Sequence, residues 1–170
     1  MNFSIDHIGY VVRSIEQNLE YYKKNFKFIQ LTKKIIEPAH NVELLFVGNK
    51  DFFTTIELIT PLCKKSKVYN FLQKNGDGFH HIAYQVEKIE NAILHFSKLN
   101  AIQICDIVKG AGHNNTKTVW MYTEKKQLIE LIEIQKNKKF YNRFTNFKSK
   151  LFFLKVYQKI LKSFKIFLPY

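Results

Sequence analysis

The stretch HIGYVV at residues 7–12 returns as HIAYQV at residues 81–86. Each is followed, about fifty residues later, by the motif IELI, at residues 56–59 and again at residues 129–132. A repeat with a period of about 74 residues indicates a duplicated structural unit rather than a chance similarity. Because the repeat returns a histidine and a glutamate to equivalent positions, it also indicates a site that both units build together.

The hydrophobic pattern predicts the same order of elements in both units. In the first we expect a strand at 4–12, a helix from Ser14 to about residue 25, and strands near 28–36, 42–47 and 54–60. After a connector with a short helix at about 67–74, we expect a strand at 80–86, a helix at 88–99, and strands near 102–108, 117–122 and 127–134. The predicted class is therefore α+β, with two tandem βαβββ modules at about 3–61 and 78–134.

The charge distribution divides the chain into a body and a tail. All 14 acidic residues lie at or before Glu133, and 17 of the 27 Lys and Arg accompany them, which leaves residues 1–135 with a charge of +3. The other ten basic residues lie in 136–170, where there is no acid. Such an asymmetry predicts a domain boundary near residue 135 and a tail with its own partner.

The composition narrows the class of protein. The chain is 46% hydrophobic, which is typical of a globular domain. Its two cysteines, Cys63 and Cys105, are too few for a secreted disulfide scaffold. The pattern after Met1 predicts no signal peptide, and no apolar run in this sequence approaches the length of a membrane span. We therefore expect a cytoplasmic protein.

Two histidines and two glutamates occupy equivalent positions of the repeat: His7, His81, Glu57 and Glu130. Taken singly, a strand histidine is more often a hydrogen-bonded core residue, and a strand glutamate can face water. Both glutamates, however, interrupt apolar stretches, where an isolated charge is costly unless it is paired or bound to a metal. Because the two residue types recur together, we predict that the four side chains are the ligands of one metal ion.

Strand alternation indicates how these histidines are accommodated. It places Gly9 on the face of His7 and Ala83 on the face of His81, so that a small residue leaves room beside each ring. The same alternation predicts that His80 points to the opposite face.

Two imidazoles and two carboxylates suit Co, Mn, Ni, Fe or Zn as divalent ions rather than calcium, which prefers oxygen ligands only. Four protein ligands on a six-coordinate ion leave two adjacent positions for two vicinal oxygens of a substrate. The ion would then stabilise the enolate that forms when a neighbouring carbon loses its proton.

Removal of that proton requires a base, and Glu43 is the candidate. It is the only charge in the apolar stretch 42–47. We expect Glu43 and Glu130 to form the catalytic proton-transfer pair. The alternative is that Glu43 is a charge on a solvated strand face.

Five motifs carry a resemblance to a known family: IDHIG at 5–9, IELITP at 56–61, GFHHIA at 78–83, GAG at 110–112 and LIEL at 128–131. Paired βαβββ units with these motifs are similar to the vicinal oxygen chelate superfamily, which includes glyoxalase I and extradiol dioxygenases. Within it, the pattern most resembles methylmalonyl-CoA epimerases. The resemblance covers residues 3 to about 134.

The resemblance implies that His7, Glu57, His81 and Glu130 are the metal ligands and that Glu43 lies near a catalytic glutamate. It also implies a small-molecule substrate, most similar to a 2-acyl thioester that is epimerised. The stretch 122–127 lacks the His-Pro that epimerases carry there. Two alternatives therefore stay open: a glyoxalase I-like isomerase (a lyase), and a module that binds a ligand without turnover.

The tail at 136–170 combines its ten basic residues with aromatic and aliphatic residues at helical spacing. A basic amphipathic helix of this kind is typical of binding to an anionic membrane surface, here the inner face of the cytoplasmic membrane. The alternative is that its apolar stripe packs on the body or on a second subunit in a homodimer. Nucleic-acid binding is disfavoured, because a body at +3 offers no basic groove.

Overall fold

The computed structural model describes residues 2–49 and 55–134. The predicted amphipathic tail at 136–170 and the domain boundary near 135 lie outside these ranges. Within them, no helix has both the length and the apolar character needed to cross a membrane.

The elements of each half follow one another in the predicted order. The first half has β1 (Ser4–Val11), α1 (Ile15–Phe26), β2 (Ile29–Gln30), β3 (Ile35–Glu37), β4 (Val42–Gly48) and β5 (Thr55–Pro61). After α2 (Tyr69–Asn75), the second half has β6 (Gly78–Val86), α3 (Ile89–Ser97), β7 (Ile102–Gln103), β8 (Val108–Gly110), a 3₁₀ turn (Ala111–His113), β9 (Thr116–Tyr122) and β10 (Leu128–Glu133).

The second strand predicted for each module is broken into two short ones, β2 with β3 and β7 with β8. In the first module, the backbone N–H of Phe46 donates to the hydroxyl of Thr32 at 3.1 Å instead of to a backbone carbonyl. In the second, the backbone N–H of Trp120 donates to Cys105 Sγ at 3.3 Å. In both cases a side chain takes the place of a ladder partner, so the regular strand pairing is interrupted.

The described strands form one sheet in which the two modules meet along β1 and β6. The order of its main path is β2-β4-β5-β1-β6-β10-β9-β7. β1 and β6 pair antiparallel, β5 is parallel to β1, and β10 is parallel to β6. The four strands that carry the repeated motifs are therefore adjacent at the centre of the sheet.

Helices cover one face of this sheet and bury its apolar side chains. Val12, which follows β1, and Ile15, the first residue of α1, pack with Leu45, Val47 and Leu58. The second cluster is equivalent and consists of Val86, Ile89, Ala92, Ala101, Val119, Met121, Ile129 and Leu131. Each fully buried aliphatic side chain contributes roughly 1.5–3 kcal/mol. Because alternate strand residues face opposite sides, this packing turns the neighbouring glutamates to the other face.

Two β-bulges interrupt the pairing of β1 with β6. In β1, Ile5 pairs with Tyr84 and His7 pairs with Ala83, so Asp6 is an extra residue without a partner of its own. In β6, His81 pairs with Gly9 and Phe79 pairs with Tyr10, so His80 is the extra residue. A bulge breaks the alternation of side chains and re-aims the residue it contains. Both bulged residues immediately precede a histidine of the repeat.

Candidate metal centre

The four predicted ligands converge on the face of the sheet opposite the helices. His7 Nε2 lies 3.3 Å from His81 Nε2 and 3.2 Å from Glu57 Oε2. Glu130 Oε2 lies 3.6 Å from Nε2 of both histidines, and Glu57 Oε2 lies 3.7 Å from His81 Nε2. Each of these side chains is at most 6% exposed, so the cluster is enclosed by protein.

The donor set fits one divalent ion. Ligand atoms that each lie about 2.0–2.2 Å from a common ion are roughly 3–4 Å apart, for tetrahedral or octahedral angles. The distances that join the two histidine Nε2 atoms to each other and to Glu57 and Glu130 fall in this range. Three of the four residues, His7, His81 and Glu130, have donor atoms that all lie within 4.8 Å of one another. Buried carboxylates also need a positive partner in such an apolar site, and a metal ion would supply it.

Protonation balances the charges of the cluster. Burial by itself lowers the pKa of His7, but the charge of Glu57 and hydrogen bonds with Asp6 and Glu57 outweigh it and raise that pKa to about 10. Burial is the largest single influence on the pKa of Glu57 and raises it, but the charge and hydrogen bond of His7, together with the charge of His81, lower that pKa below its ordinary value. Burial also raises the pKa of Glu130, but the charge of His113, hydrogen bonds with His113 and His81, and the charge of His7 together hold that pKa well below its ordinary value. The site therefore favours ionised carboxylates beside a cation.

Each small residue was predicted to make room for the histidine on its own strand, but it lies opposite the histidine of the other module. Gly9 pairs with His81, and Ala83 pairs with His7. A Cβ added to Gly9 would lie 2.1 Å from Cε1 of His81, which is well inside contact distance. The His81 ring therefore occupies the space that a side chain at residue 9 would need.

The bulged residues hold the outer nitrogens of both histidines. Asp6 Oδ1 accepts from His7 Nδ1 at 2.8 Å, and Gln85 donates to the other oxygen of Asp6 at 2.5 Å. His80 Nδ1 lies 3.0 Å from His81 Nδ1. Partners of this kind fix the tautomer so that Nε2 is left to bind a metal.

The expectation that His80 points away from His81 is wrong, because the bulge breaks the strand alternation on which it depended. Burial and the charge of His81 lower the pKa of His80 to about 3. His80 is therefore neutral near pH 7, and its Nδ1 lone pair can accept the proton of His81 Nδ1.

Glu43 does not lie in this site, contrary to the expectation from sequence. Its neighbours Val42 and Leu44 line the cavity beside the cluster. Alternation turns Glu43 to the helix side of β4, where its carboxylate pairs with Lys34 at 2.9 Å, and Lys34 also pairs with Glu16 of α1. The residues of β4 that face the cavity are therefore apolar. Glu43 fits the alternative expectation of a charge on a solvated strand face.

His113 is a site residue that sequence reasoning missed. It is 5% exposed, and its ring stacks on that of His7 at 5.3 Å between centroids. Its Nε2 lies 3.5 Å from Glu130 Oε1, the oxygen that does not face His7 and His81. The turn that carries His113, between β8 and β9, corresponds to the turn between β3 and β4, and AHN at 39–41 returns there as GHN at 112–114; this match and the adjacent GAG motif were the signals for this region.

A cavity adjoins the cluster. Its wall is formed by the turn before β4, by β4 and β5, by the 3₁₀ turn and by β9 and β10. Besides Glu57, Glu130 and His113, its polar lining includes Glu37, His40, Thr118 and Trp120. Glu37 holds the wall together, because its carboxylate accepts from the backbone N–H groups of Ala39 and Ala111.

The profile of the Glyoxalase/Bleomycin resistance protein/Dioxygenase superfamily matches residues 6–118, more than half of the chain. The matched segment contains three of the four candidate ligands, His7, Glu57 and His81, and ends before Glu130.

Two curated relatives are methylmalonyl-CoA epimerases. The Homo sapiens mitochondrial protein is 32% identical over 112 residues, which cover 64% of this chain and 61% of the relative. The mitochondrial protein of Dictyostelium discoideum is 28% identical over 132 residues, which cover 76% of this chain and 77% of the relative. The chain thus spans less than two thirds of the human relative's length.

A crystal structure of a hypothetical protein from Bacillus halodurans has the same fold. It superposes with a TM-score of 0.71 at 28% identity and covers 82% of this chain and 99% of that protein. The α+β class with paired modules, predicted from the repeat, is confirmed.

Proposed function

Because the chain belongs to the glyoxalase/bleomycin resistance/dioxygenase superfamily, we propose that it is a divalent-metal-dependent epimerase of a thioester with an acidic hydrogen at C2. Methylmalonyl-CoA is the first substrate to test, since two curated relatives are named methylmalonyl-CoA epimerase. The observation that carries the proposal is the convergence of two imidazoles and two carboxylates at one buried point beside a cavity.

In this proposal His7, Glu57, His81 and Glu130 hold one ion of Co, Mn, Ni, Fe or Zn. When bound, such an ion stabilises negative charge that develops on substrate oxygens. The chain supplies a dry environment, since all four side chains are buried. Asp6 and His80 keep the histidine rings oriented through their Nδ1 atoms.

Proton transfer is assigned to His113 acting with Glu130. The C2–H bond breaks, its proton goes to Nε2 of His113, and the electron pair moves toward the thioester oxygen. A proton from solvent then adds to C2 on the opposite face and gives the other epimer, and His113 releases to solvent the proton that it took. Glu130 has two separate tasks, since Oε2 faces His7 and His81 while Oε1 faces His113 and stabilises its cationic form.

The test is exchange of the C2 hydrogen of methylmalonyl-CoA with deuterated solvent, followed by NMR on metal-loaded protein. His113→Gln is expected to lower exchange by about 10²- to 10⁴-fold with near-normal metal content. His81→Ala should lose both exchange and most of the metal. Tyr122→Phe, at an exposed position on β9, is the matched control and should behave like wild type.

Two outcomes would replace the proposal. Turnover of a hemithioacetal without exchange of the thioester would favour a glyoxalase I-like isomerase. Tight thioester binding with no exchange in the metal-loaded protein would favour a ligand-binding module.

A further inference from the structure

A buried carboxylate joins the two modules at the wall of the cavity. Glu37 is the last residue of β3, which pairs with β4 in the first module, and it is 5% exposed. Its Oε1 accepts from the backbone N–H of Ala39 at 3.3 Å. Its Oε2 accepts from the backbone N–H of Ala111, the first residue of the 3₁₀ turn in the second module. A side chain of one module therefore holds a turn of the other.

The pair of bonds depends on a carboxylate at residue 37. Both oxygens of a carboxylate are acceptors, so each can accept from one backbone N–H. A glutamine amide of the same size has one oxygen in place of two, so one of the two backbone groups would face an NH₂ donor. Such a mismatch in a buried place is unfavourable. Glutamate can therefore hold Ala111 while it keeps Ala39 paired.

The turn that begins at Ala111 carries His113 two residues later. Bonds within the turn set its shape. The backbone N–H of Asn115 donates to the carbonyl of Gly110 at 3.0 Å, and the hydroxyl of Thr116 donates to the carbonyl of His113 at 3.0 Å. These bonds cannot fix where the turn lies relative to the first module, because all of their groups belong to the second.

Close packing makes the ring of His113 sensitive to the position of the turn. A Cβ added to Gly110 would lie 2.9 Å from Cδ2 of His113. A Cβ added to Gly112 would lie 3.3 Å from Cδ1 of Leu44, a residue of the first module. A displaced turn would therefore move the ring, including the Nε2 atom that lies 3.5 Å from Glu130 Oε1.

We propose that Glu37 is a positioning residue for His113, and that it sets the place of the imidazole beside Glu130 by holding Ala111. This inference rests on the proposed function, in which His113 takes the C2 proton. A displacement of about 1 Å at a reacting group can lower a rate by about 10²-fold. Glu37 transfers no proton itself, since both of its oxygens accept from backbone N–H groups.

The experiment is a double-mutant cycle in the C2 hydrogen exchange assay on metal-loaded protein. Glu37→Gln alone is expected to lower exchange about 10- to 100-fold with near-normal metal content. In a His113→Gln background, the same substitution should change the residual exchange less than about threefold, because a residue that acts through His113 has nothing left to position. An equal loss in both backgrounds would show a general structural role and overturn the inference.

Two further variants separate positioning from folding. Glu133→Gln is the matched control and should exchange like wild type, since Glu133 also accepts from a backbone N–H, that of Ile89 at the start of α3. Ala111→Pro removes the proposed bond from its donor side, and it should give the same loss even if Glu37→Gln does not fold. Proline is tolerated in the first turn of a helix, and the extended backbone of Gly110 (φ −72°, ψ 119°) suits the residue before it.

NMR of the metal-free protein adds a measurement that does not depend on turnover. The Cε1–H signal of His113, identified by its absence in His113→Gln, should shift in Glu37→Gln and stay in place in Glu133→Gln. An unmoved signal would overturn the inference. So would an exchange rate in Glu37→Gln within about threefold of wild type, and if His113→Gln still lost exchange the epimerase proposal would stand. A wild-type protein that does not exchange the C2 hydrogen would overturn both.

Discussion

At the scale of single residues, Gly9 shows how much the site depends on the absence of an atom. Its strand partner is His81, and the position of an added Cβ coincides with the imidazole ring. The backbone of β1 cannot move away easily, because β5 and β6 pair with it on both sides. The ring of His81 would have to rotate instead.

We expect Gly9→Ala to reduce metal affinity at least tenfold, since displacement of His81 removes one ligand from the cluster. Competition with a chromophoric chelator measures this directly. Gly78→Ala is the matched control, because nothing lies within 4 Å of a Cβ added there. Equal metal affinity in the two variants would show that His81 is not a ligand.

Asp6 makes a second prediction at this scale. Its carboxylate accepts from His7 Nδ1 and so leaves Nε2 to face the cluster. Asp6→Asn is expected to lower metal affinity about 10- to 100-fold, as loss of an outer partner of a histidine ligand typically does. Asp106→Asn, at an exposed position, provides the comparison. If the Asp6 variant retained wild-type affinity, the outer hydrogen bond would have no part in metal binding.

At the scale of elements, alternation in β4 decides which residues reach the cavity. Val42 and Leu44 line it, whereas Leu45 and Val47 pack under α1, so Glu43 belongs to the helix side. From sequence alone, either face of this strand could have been the inner one, because apolar residues occupy both. In the structure Phe46 pairs with Glu57, so Phe46, Leu44 and Val42 share the face of the candidate ligands and Glu43 lies on the opposite face.

Glu43→Gln is therefore expected to change the rate of C2 hydrogen exchange less than about threefold, because its carboxylate pairs with Lys34 on the helix side of the sheet rather than facing the cluster. The measurement is the NMR exchange assay on metal-loaded protein, with His113→Gln alongside. A loss of about 10²- to 10⁴-fold in the Glu43 variant would restore it as the base.

The order of elements and the four candidate ligands could be predicted from sequence because the duplication repeats the same motifs in both modules. The bulges at Asp6 and His80 could not, since a bulge depends on the register between two distant strands and leaves no period in either. His113 was missed because it lies in a turn, where no strand alternation shows which way a histidine side chain points. The parts of the site that escaped prediction lie in bulges and turns, where strand alternation does not apply.

At the scale of the whole molecule, charge separates the body from the tail. The ten basic residues of 136–170 are not needed to build the sheet or the candidate site, all of which lie before residue 134. The hypothesis of an amphipathic tail on an anionic membrane surface stays a prediction from sequence.

We expect the full chain to sediment with anionic vesicles and a chain ending at Gln135 to remain in solution. Binding should weaken as salt rises, because screening reduces the attraction between basic residues and anionic lipid. Neutral vesicles are the control for apolar insertion alone. If the two chains behaved alike, packing of the tail on the body or on a second subunit would be the better explanation.

The central claim is that His7, Glu57, His81 and Glu130 hold one ion, and a crystal structure of the zinc-loaded protein tests it most directly. Anomalous scattering at the zinc edge is expected to give one peak within about 2.0–2.2 Å of a donor atom of each of the four side chains. A peak elsewhere, or no peak at this cluster in protein shown to contain zinc, would contradict the account.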